Sequence, residues 1–339
     1  MKMPDTKIKY SKSFDYSKID RGITWRKVTA NQRKKDSIWL SKETNKFSCP
    51  ICFSNNNKKV VEIYAFNYVQ CQKCTHVYID QIPSLEIINS FYRKKNSDIN
   101  KSPGDDLINT DDFHNRVKNI CIPKIEFVLQ SIKKQKPKWV DIGCGIGDLV
   151  YAASQLGCDA IGYDVDNREI EHGKNFGSNI SLNEITRENA SSLIGDADVV
   201  SLISVLEHLP NPTELLGIIS NNIKPTAKIV IEVPRFESIS SAINIAFPDL
   251  ISRHMLPPNH IMLFTEDSFD RLLKNVNLKK RTVWYYGMDI NELFGTVLFI
   301  NNSVPETFTN KIISLLNDMQ NVIDKNKFCD EMLVIVDKL

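Results

Sequence analysis

The sequence has neither a long apolar run nor a strong excess of charge of one sign. Its apolar stretches fall short of the roughly 18 residues that a membrane-spanning helix needs, and its first residues are lysine-rich, unlike a secretory signal. The 43 Lys and Arg residues nearly balance 41 Asp and Glu residues, which leaves a formal net charge of +2. We therefore expect a cytoplasmic globular protein with no membrane span, and the overall charge indicates no partner.

The N-terminal segment differs from the rest of the chain in charge. Its first 48 residues contain 13 Lys or Arg and 5 Asp or Glu, and its hydrophobic periodicity is weak. Basic arms bind nucleic acid or acidic lipid in some proteins and are simply solvated in many others. We expect residues 1–46 to form a loosely ordered arm with one short helix near residues 31–41.

Four of the eight cysteines form two Cys-x-x-Cys pairs, Cys49 with Cys52 and Cys71 with Cys74, which are separated by 18 residues. Each pair places two sulfur atoms on one turn, and a hairpin that joins the turns supplies four thiolates for Zn²⁺. The spacing predicts a zinc ribbon over residues 47–82, with two unrelated turns as the alternative. Four protein ligands leave no position for substrate, so this metal would be structural.

The remaining cysteines are scattered, and we expect them to be free thiols because the chain shows no secretory signal. After the ribbon, residues 83–114 are predicted to form a short helix over residues 83–92 and then a polar linker or lid. Apolar residues at helical spacing then predict a helix over residues 117–132, which Pro123 bends or starts.

A glycine-rich turn follows at residues 139–148, where an apolar strand leads into Gly143, Gly145 and Gly147 and then into an amphipathic helix. Glycine allows a backbone to approach a ligand closely, since a side chain would obstruct the contact. The sequence beyond this turn alternates between apolar strands and helices. Strands are predicted at 160–164, 179–182, 197–205, 228–233, 281–286 and 331–337, and helices at 166–176, 213–222, 265–276 and 306–324.

This alternation predicts an α/β fold: a doubly wound, mostly parallel sheet with helices on both faces. The ligand of its glycine turn is indicated by three acidic residues. Asp148 stands where a dinucleotide-binding loop requires Gly or Ala, and Asp141 adds a second carboxylate that would repel a pyrophosphate. Asp164 follows Gly143 by 21 residues, at the end of the second strand, where an acid accepts hydrogen bonds from ribose hydroxyls. These positions favour a nucleoside with a cationic tail.

Four segments together resemble the class I, seven-stranded S-adenosylmethionine-dependent methyltransferases: residues 140–147, 162–164, 198–200 and 205–212. The resemblance covers about residues 115–339 and implies substrate-side insertions at 234–264 and 287–330. It also implies that S-adenosylmethionine binds along the glycine turn, with the ribose at Asp164 and adenine near Asn189 and Ala190. The cofactor-binding residues implied are Asp141, Gly143, Cys144, Gly145, Gly147, Asp164, Val165, Asn189, Ala190 and Ser204.

The resemblance also indicates the acceptor side of the site. Glu207 and His208 match a pair found in quinone-type and sugar-type members. Some quinone-type members bind a divalent metal through this pair and a Glu three residues earlier, where this chain has Ser204, so we expect no catalytic metal. His260 is similar to a histidine that acts on the substrate in sugar C-methyltransferases, whose longer motif and further C-terminal domain are missing here. His208, His260 and Glu207 are therefore the catalytic candidates. The alternatives are loop packing for His208, a structural role before a helix for His260, and orientation of a backbone amide for Glu207.

The predicted function is methyl transfer to a small polar acceptor, which we expect to be a nucleotide-linked sugar or a precursor of a surface glycan or secondary metabolite. One alternative is an RNA base methyltransferase, because zinc ribbons and basic arms occur on RNA-modifying enzymes. The chain lacks the Asn-Pro-Pro-Tyr type of motif that many N-methylating nucleic-acid enzymes carry, which disfavours nucleic acid as partner. A second alternative is a binding protein that keeps the fold without activity.

Overall fold

The computed structural model describes residues 6–16, 22–88, 90, 110–250, 253–300 and 306–339. Its strands are β1 (Lys7–Tyr10), β2 (Thr44–Lys46), β3 (Asn57–Ile63), β4 (Phe66–Cys71), β5 (Val77–Ile79), β6 (Gln81–Pro83), β7 (Lys138–Ile142), β8 (Asp159–Asp164), β9 (Ile180–Leu182), β10 (Val199–Ile203), β11 (Lys228–Pro234), β12 (Met262–Leu263), β13 (Leu278–Tyr286) and β14 (Glu331–Lys338).

The helices are α1 (Gly22–Leu40), α2 (Thr110–Arg116), α3 (Ile122–Leu129), α4 (Asp148–Gln155), α5 (Asn167–Lys174), α6 (Ala190–Ile194), α7 (Pro212–Asn222), α8 (Ile239–Ala246), α9 (Glu266–Asn275), α10 (Asp289–Ile300) and α11 (Glu306–Lys325). A π-helical turn, Val117–Cys121, joins α2 to α3, and a 3₁₀ turn, Leu206–His208, follows β10. In the described part of the chain, none of the helices combines the length and apolar character that crossing a membrane requires.

The central sheet has the strand order β1-β13-β14-β11-β10-β7-β8-β9. Its neighbouring strands run parallel, except that β14 runs antiparallel to both β11 and β13. The predicted doubly wound, mostly parallel sheet is confirmed, with β1 as an eighth strand at the edge. Because β7, β8, β10 and β11 are parallel, their carboxyl ends lie at one edge, where open α/β sheets bind ligands.

The sheet separates two apolar layers. On β7, Trp139 belongs to one layer and Val140 to the other, and Leu333 and Val334 alternate in the same way on β14. Strands that are buried on both faces explain the almost continuous apolar runs in the sequence.

The expectation of a loosely ordered arm is wrong for the described residues of segment 1–46. Strand β1 pairs with β13 from Lys7 to Tyr10, opposite Thr282 to Tyr285. Helix α1 is 19 residues long, so the predicted short helix at 31–41 is its second half. The Ser37 hydroxyl shares its one hydrogen between the main-chain oxygens of Tyr64 and Pro257, at 3.0 and 2.9 Å, which fixes α1 to the rest of the protein. A four-residue strand with two lysines gives too weak a pattern to be recognised in a sequence.

The cysteine-rich segment forms a small sheet that the large domain completes. Its strands have the order β12-β5-β4-β3, and β12 pairs antiparallel with β5 through Met262↔Tyr78 and Leu263↔Val77. Strands β2 and β6 form a separate pair. Thus the segment 234–264, predicted as an insertion on the substrate side, also supplies a strand to the ribbon.

Two predictions concern the linker and the helix that follows it. Residues 85–88 are helical, and the remainder of the helix predicted to extend to residue 92 lies outside the described residues. The bend predicted at Pro123 corresponds to the start of α3, where the proline occupies the first turn after the π-helical turn. Proline fits there because a first-turn N–H has no partner within its own helix.

Candidate functional site

The glycine turn after β7 has a backbone that other residues rarely adopt. Gly143, Gly145 and Gly147 have φ angles of 70°, 52° and 75°. A Cβ atom at Gly143 would lie 2.7 Å from Cγ2 of Val205, whereas one at Gly145 would meet Glu169 Oε2 at 3.9 Å. Packing therefore requires glycine at position 143, and at position 145 the missing side chain leaves space for a ligand beside the backbone.

A cavity of about 450 Å³ opens beside this turn. Its wall contains five of the residues predicted to bind cofactor, which are Asp141, Gly143, Cys144, Gly145 and Ser204. It also contains charged or hydroxyl-bearing residues, which are Lys12, Lys124, Glu232, Arg253, Tyr286 and Glu331. The cavity thus joins the predicted cofactor turn to a polar wall, a shape that fits a nucleoside's tail together with a second small molecule.

The two carboxylates that flank the turn do not act as free anions. Asp141 is 2% exposed and accepts a hydrogen bond from the Ser201 hydroxyl at 2.5 Å, and burial raises its pKa to about 7. Arg116 Nε donates to Asp148 Oδ2 at 2.9 Å. Although burial works against ionisation of Asp148, the guanidinium holds its pKa below the ordinary value. In the sequence both residues count as free anions, whereas the burial of Asp141 and the pairing of Asp148 with Arg116 depend on the fold.

Asp164 lies at the carboxyl end of β8 and faces the turn. Its Oδ2 accepts from the Gly145 N–H at 2.8 Å, and its Oδ1 accepts from the Asp166 N–H at 2.9 Å. A carboxylate has about four lone-pair sites, so Asp164 keeps acceptor capacity for ribose hydroxyls. The neighbouring Val165 side chain is 68% exposed and can cover one face of a ligand.

The residues implied for adenine lie outside the wall of this cavity. Asn189 Oδ1 accepts from the Thr186 N–H, and Asn189 Nδ2 donates to the Glu184 oxygen, each at 2.8 Å. Ala190 is fully buried. The Asn189 side chain therefore shapes the loop between β9 and α6, and its contact with adenine stays a prediction, as does the placement of Gly147 against the cofactor.

The polar wall contains a buried charge pair that was not predicted from the sequence. Lys124 Nζ lies 2.7 Å from Glu232 Oε1, and the Tyr286 hydroxyl donates to the second oxygen of Glu232. Burial opposes ionisation of Glu232, but Lys124 and Tyr286 hold its pKa below the ordinary value. The sequence does indicate that both residues are unusual. Glu232 interrupts the apolar strand β11, and Lys124 interrupts an apolar stretch of α3.

The predicted catalytic histidines come together beside the cavity rather than in its wall. The rings of His208 and His260 are 4.7 Å apart in an edge-to-face arrangement. His208 Nδ1 lies 2.8 Å from the Asn259 oxygen, and burial lowers the pKa of His208. Burial and the neighbouring histidines, His208 and His254, place the pKa of His260 well below its ordinary value. Both imidazoles are therefore neutral at physiological pH, and their catalytic role stays a prediction.

Glu207 completes this histidine cluster. It is 1% exposed, its Oε2 has no hydrogen-bond partner in the described part of the chain, and burial raises its pKa to about 8. The ligand atoms of Glu207, His208 and His260 lie within 4.8 Å of one another, a separation that would fit a divalent cation. The third potential ligand beside Glu207 and His208 is therefore His260, which lies far from Ser204 in the sequence.

The four ribbon cysteines are grouped as predicted. Cys49 Sγ lies 3.5 Å from Cys74 Sγ, and Cys52 Sγ lies 3.5 Å from Cys71 Sγ, with all four sulfur atoms within 4.8 Å of one another. Four thiolates around Zn²⁺ at about 2.3 Å place neighbouring sulfurs roughly 3.8 Å apart, so the cluster is compatible with a tetrahedral zinc site.

Part of the chain is similar in sequence to curated methyltransferases. The chain is 31% identical over 107 residues to the ubiquinone biosynthesis O-methyltransferase of Methylococcus capsulatus, which is 30% of this chain and 45% of that protein. It is 32% identical over 91 residues to the Colwellia psychrerythraea protein of the same name, covering 25% of this chain and 37% of the relative. The chain thus spans about half the length, or less, of these curated relatives.

Among solved structures, a SAM-dependent methyltransferase from Archaeoglobus fulgidus has 21% sequence identity and a TM-score of 0.44, and the match covers 64% of this chain and 92% of that one. The family described as "Methyltransferase domain" matches residues 113–283, about half of the chain. That range includes the glycine turn, Asp164 and the Glu207–His208 pair. The chain therefore belongs to the methyltransferase domain family.

Proposed function

We propose that the protein transfers a methyl group from S-adenosylmethionine to a hydroxyl of a small, polar, sugar-like acceptor. The observation that carries this proposal is the continuity of the 450 Å³ cavity from the glycine turn to the wall of Lys12, Lys124 and Glu232. Charged and hydroxyl-bearing side chains compensate the desolvation of a polyhydroxylated molecule, whereas an apolar molecule would leave them unsatisfied.

Bound S-adenosylmethionine would supply a methyl carbon that its sulfonium centre activates. The chain's own contribution is alignment, exclusion of water and management of the acceptor's proton. Gly145 would admit the methionine part to the backbone, and Asp164 would hold the ribose. With a pKa of about 7, Asp141 would be partly ionised beside the turn, and its negative charge would attract the cationic sulfonium end of the cofactor.

An oxygen acceptor is supported by the relatives, whose names describe O-methyltransferases. The choice of a sugar-like acceptor comes instead from the polar wall of the cavity. The same cofactor could serve another acceptor, so the acceptor class needs its own test.

An RNA acceptor has less support, since it needs a free basic arm. Helix α1, which carries many of these basic residues, is held through Ser37, and Lys34 Nζ lies 2.6 Å from Asp249 Oδ1. The ribbon is likewise held by β12. We propose that its four cysteines bind Zn²⁺ in a structural role.

The test is an acceptor panel with the full chain and S-adenosylmethionine, in which UDP-glucose, 3,4-dihydroxybenzoate and bulk tRNA are compared. The product S-adenosylhomocysteine and the methylated acceptor are measured by mass spectrometry, with Asp164→Ala as the cofactor-binding control. Methylation of UDP-glucose is expected. Methylation of the benzoate alone would change the acceptor class, and methylation of tRNA alone would contradict a small-molecule acceptor.

A further inference from the structure

We propose that Lys12 is the proton acceptor of this reaction, with its side-chain amine taking the proton of the acceptor hydroxyl. This inference rests on the proposed function, because it concerns methyl transfer to oxygen. It assigns the base to a residue of the N-terminal segment, far in sequence from the glycine turn and from the predicted histidines.

The backbone fixes Lys12 in the cavity wall from both sides. On its N-terminal side, the Ser11 N–H donates to the Tyr285 oxygen at 2.8 Å, and the Trp284 indole donates to the Ser11 oxygen at 2.7 Å. On its C-terminal side, the Phe14 N–H donates to Asn317 Oδ1 at 3.0 Å. The Lys12 residue between them is 6% exposed and shares the cavity wall with Gly143 and Gly145.

Burial and a neighbouring positive charge favour the neutral form of the amine, whereas nearby acids and aromatic ring faces favour its charged form. Burial and then the charge of Lys124 lower the pKa of Lys12 to about 7, although Glu232, Glu331 and Cys121 act in the opposite direction. Lys124 and Cys121 face it from α3 and the π-helical turn, Glu232 from β11 and Glu331 from β14. The Tyr286 ring on β13 lies 5.3 Å from the amine. A lysine with an ordinary pKa near 10.4 would stay protonated, whereas a pKa near 7 lies in the range in which a general base works well.

The hydrogen bonding of the amine leaves its lone pair available. Lys12 Nζ donates to the Ile120 main-chain oxygen at 3.0 Å, and the ring of Phe14 lies 4.9 Å from the nitrogen. A neutral amine has two N–H groups and one lone pair. With one N–H held by Ile120, the side chain is oriented and its lone pair can accept a proton from a molecule in the cavity.

The chemical step balances with no further reactant. The O–H bond of the acceptor breaks and its proton passes to the Lys12 lone pair, which converts the amine to an ammonium group. The oxygen's electron pair forms the new bond to the methyl carbon. The electron pair of the methyl–sulfur bond remains on sulfur, and the ammonium later loses its proton to water.

The location of the histidines supports this assignment. His208 and His260 lie beside the cavity and outside its wall, whereas Lys12 lies in the wall. An acceptor in this cavity would lie against Lys12 and not against either histidine. The two assignments therefore predict different effects of substitution.

The first experiment measures the amine directly and needs no acceptor. The full chain is acetylated with trace acetic anhydride at pH values from 6 to 10, and each labelled lysine is quantified by mass spectrometry after complete modification. We expect a titration midpoint within one unit of 7 for Lys12. Lys9 is the internal reference. It lies on β1, three residues before Lys12, and its amine lies over the Trp284 ring, outside the cavity wall. A Lys12 midpoint above about 9 would overturn the proposal.

The second experiment compares Lys12→Met and Lys12→Arg with Lys9→Met, with UDP-glucose and 3,4-dihydroxybenzoate as probes. We expect both Lys12 variants to lower kcat by about a hundredfold or more, because removal of a general base costs a factor of about 10² to 10⁴. Arginine does not substitute, since its guanidinium stays protonated. Lys9→Met should stay within about twofold of the unmodified protein, and the limb of the pH–rate profile near 7 should disappear only in the Lys12 variants.

The two hypotheses fail in different ways. A Lys12→Met kcat within threefold of the original, or a large loss for His208→Gln alone, would overturn the assignment of the base while methyl transfer stands. If neither probe is methylated although S-adenosylhomocysteine binds in calorimetry, the proposed acceptor class fails, and the labelling midpoint alone decides whether Lys12 carries a neutral amine.

Discussion

The Tyr68 hydroxyl donates a hydrogen bond to the main-chain oxygen of His260 at 2.5 Å. Tyr68 lies on β4 of the ribbon, and His260 lies two residues before β12, which pairs with β5 of the ribbon. The cysteine-rich module and the histidine segment are therefore one structural unit. A structural metal bound by the ribbon cysteines would therefore help to hold the histidine segment in place without contacting a substrate.

Removing the Tyr68 hydroxyl tests this connection. Tyr68→Phe should lower the free energy of unfolding by about 1–2 kcal/mol, because it leaves a largely buried carbonyl without its donor. Tyr78→Phe is the matched control, since that hydroxyl is bonded within the ribbon to Asn57 Nδ2. Urea denaturation measures both changes. An equal loss for the two variants would contradict a special contribution from the bond to His260.

The ribbon cysteines are expected to bind about one zinc ion per chain. Cys71→Ser should abolish this binding and make residues 49–74 sensitive to trypsin, because structural zinc sites contribute on the order of 10 kcal/mol to folding of small modules. Metal analysis by mass spectrometry and limited proteolysis provide the readouts. Cys158→Ser, at a buried cysteine outside the ribbon, should retain the metal. A wild-type protein that neither contains nor takes up zinc would refute the metal assignment.

Asp164 is expected to dominate ribose binding. Asp164→Ala should weaken S-adenosylhomocysteine binding by about ten- to a hundredfold, since hydrogen bonds to a charged group contribute about 1.5–3 kcal/mol. Asp166→Ala serves as the control. That side chain caps α5 by accepting from the Arg168 N–H and pairs with the Arg168 guanidinium. Isothermal calorimetry gives both dissociation constants, and unchanged binding by Asp164→Ala would remove the ribose contact.

Glu207 makes stability depend on pH in a defined direction. Its pKa is raised to about 8 when folded, so between about 4.5 and 8 the folded state holds a proton that the unfolded state has released. The free energy of unfolding therefore falls as pH rises through this window and levels off above it. Glu207→Gln removes the effect, so relative to wild type it should gain at least about 1.4 kcal/mol between pH 5 and pH 8.5, the equivalent of one pKa unit. Denaturant titrations at both pH values measure this gain, and a constant difference would contradict a buried, protonated Glu207.

The long periodic elements could be predicted from the sequence, because their burial pattern is local. The predicted helix at 265–276 corresponds to α9, whose Thr265 cap accepts from the Ser268 N–H. The predicted strand at 228–233 corresponds to β11. Helix α8 and helix α10 were missed, since they lie in segments with few charged residues and no clear alternation. Strand β1 was missed because a four-residue edge strand has almost no pattern of its own.

The sequence by itself determined the doubly wound fold, the glycine turn with Asp164, and the pairing of two Cys-x-x-Cys motifs, because each depends on residues that are close along the chain. Only the tertiary structure decided which groups face the cavity. Lys12 reaches it because β1 adds to β13, and Lys124 meets Glu232 across a separation of 108 residues. The protonation of Asp141 and Lys12 likewise depends on burial, which a linear sequence does not specify.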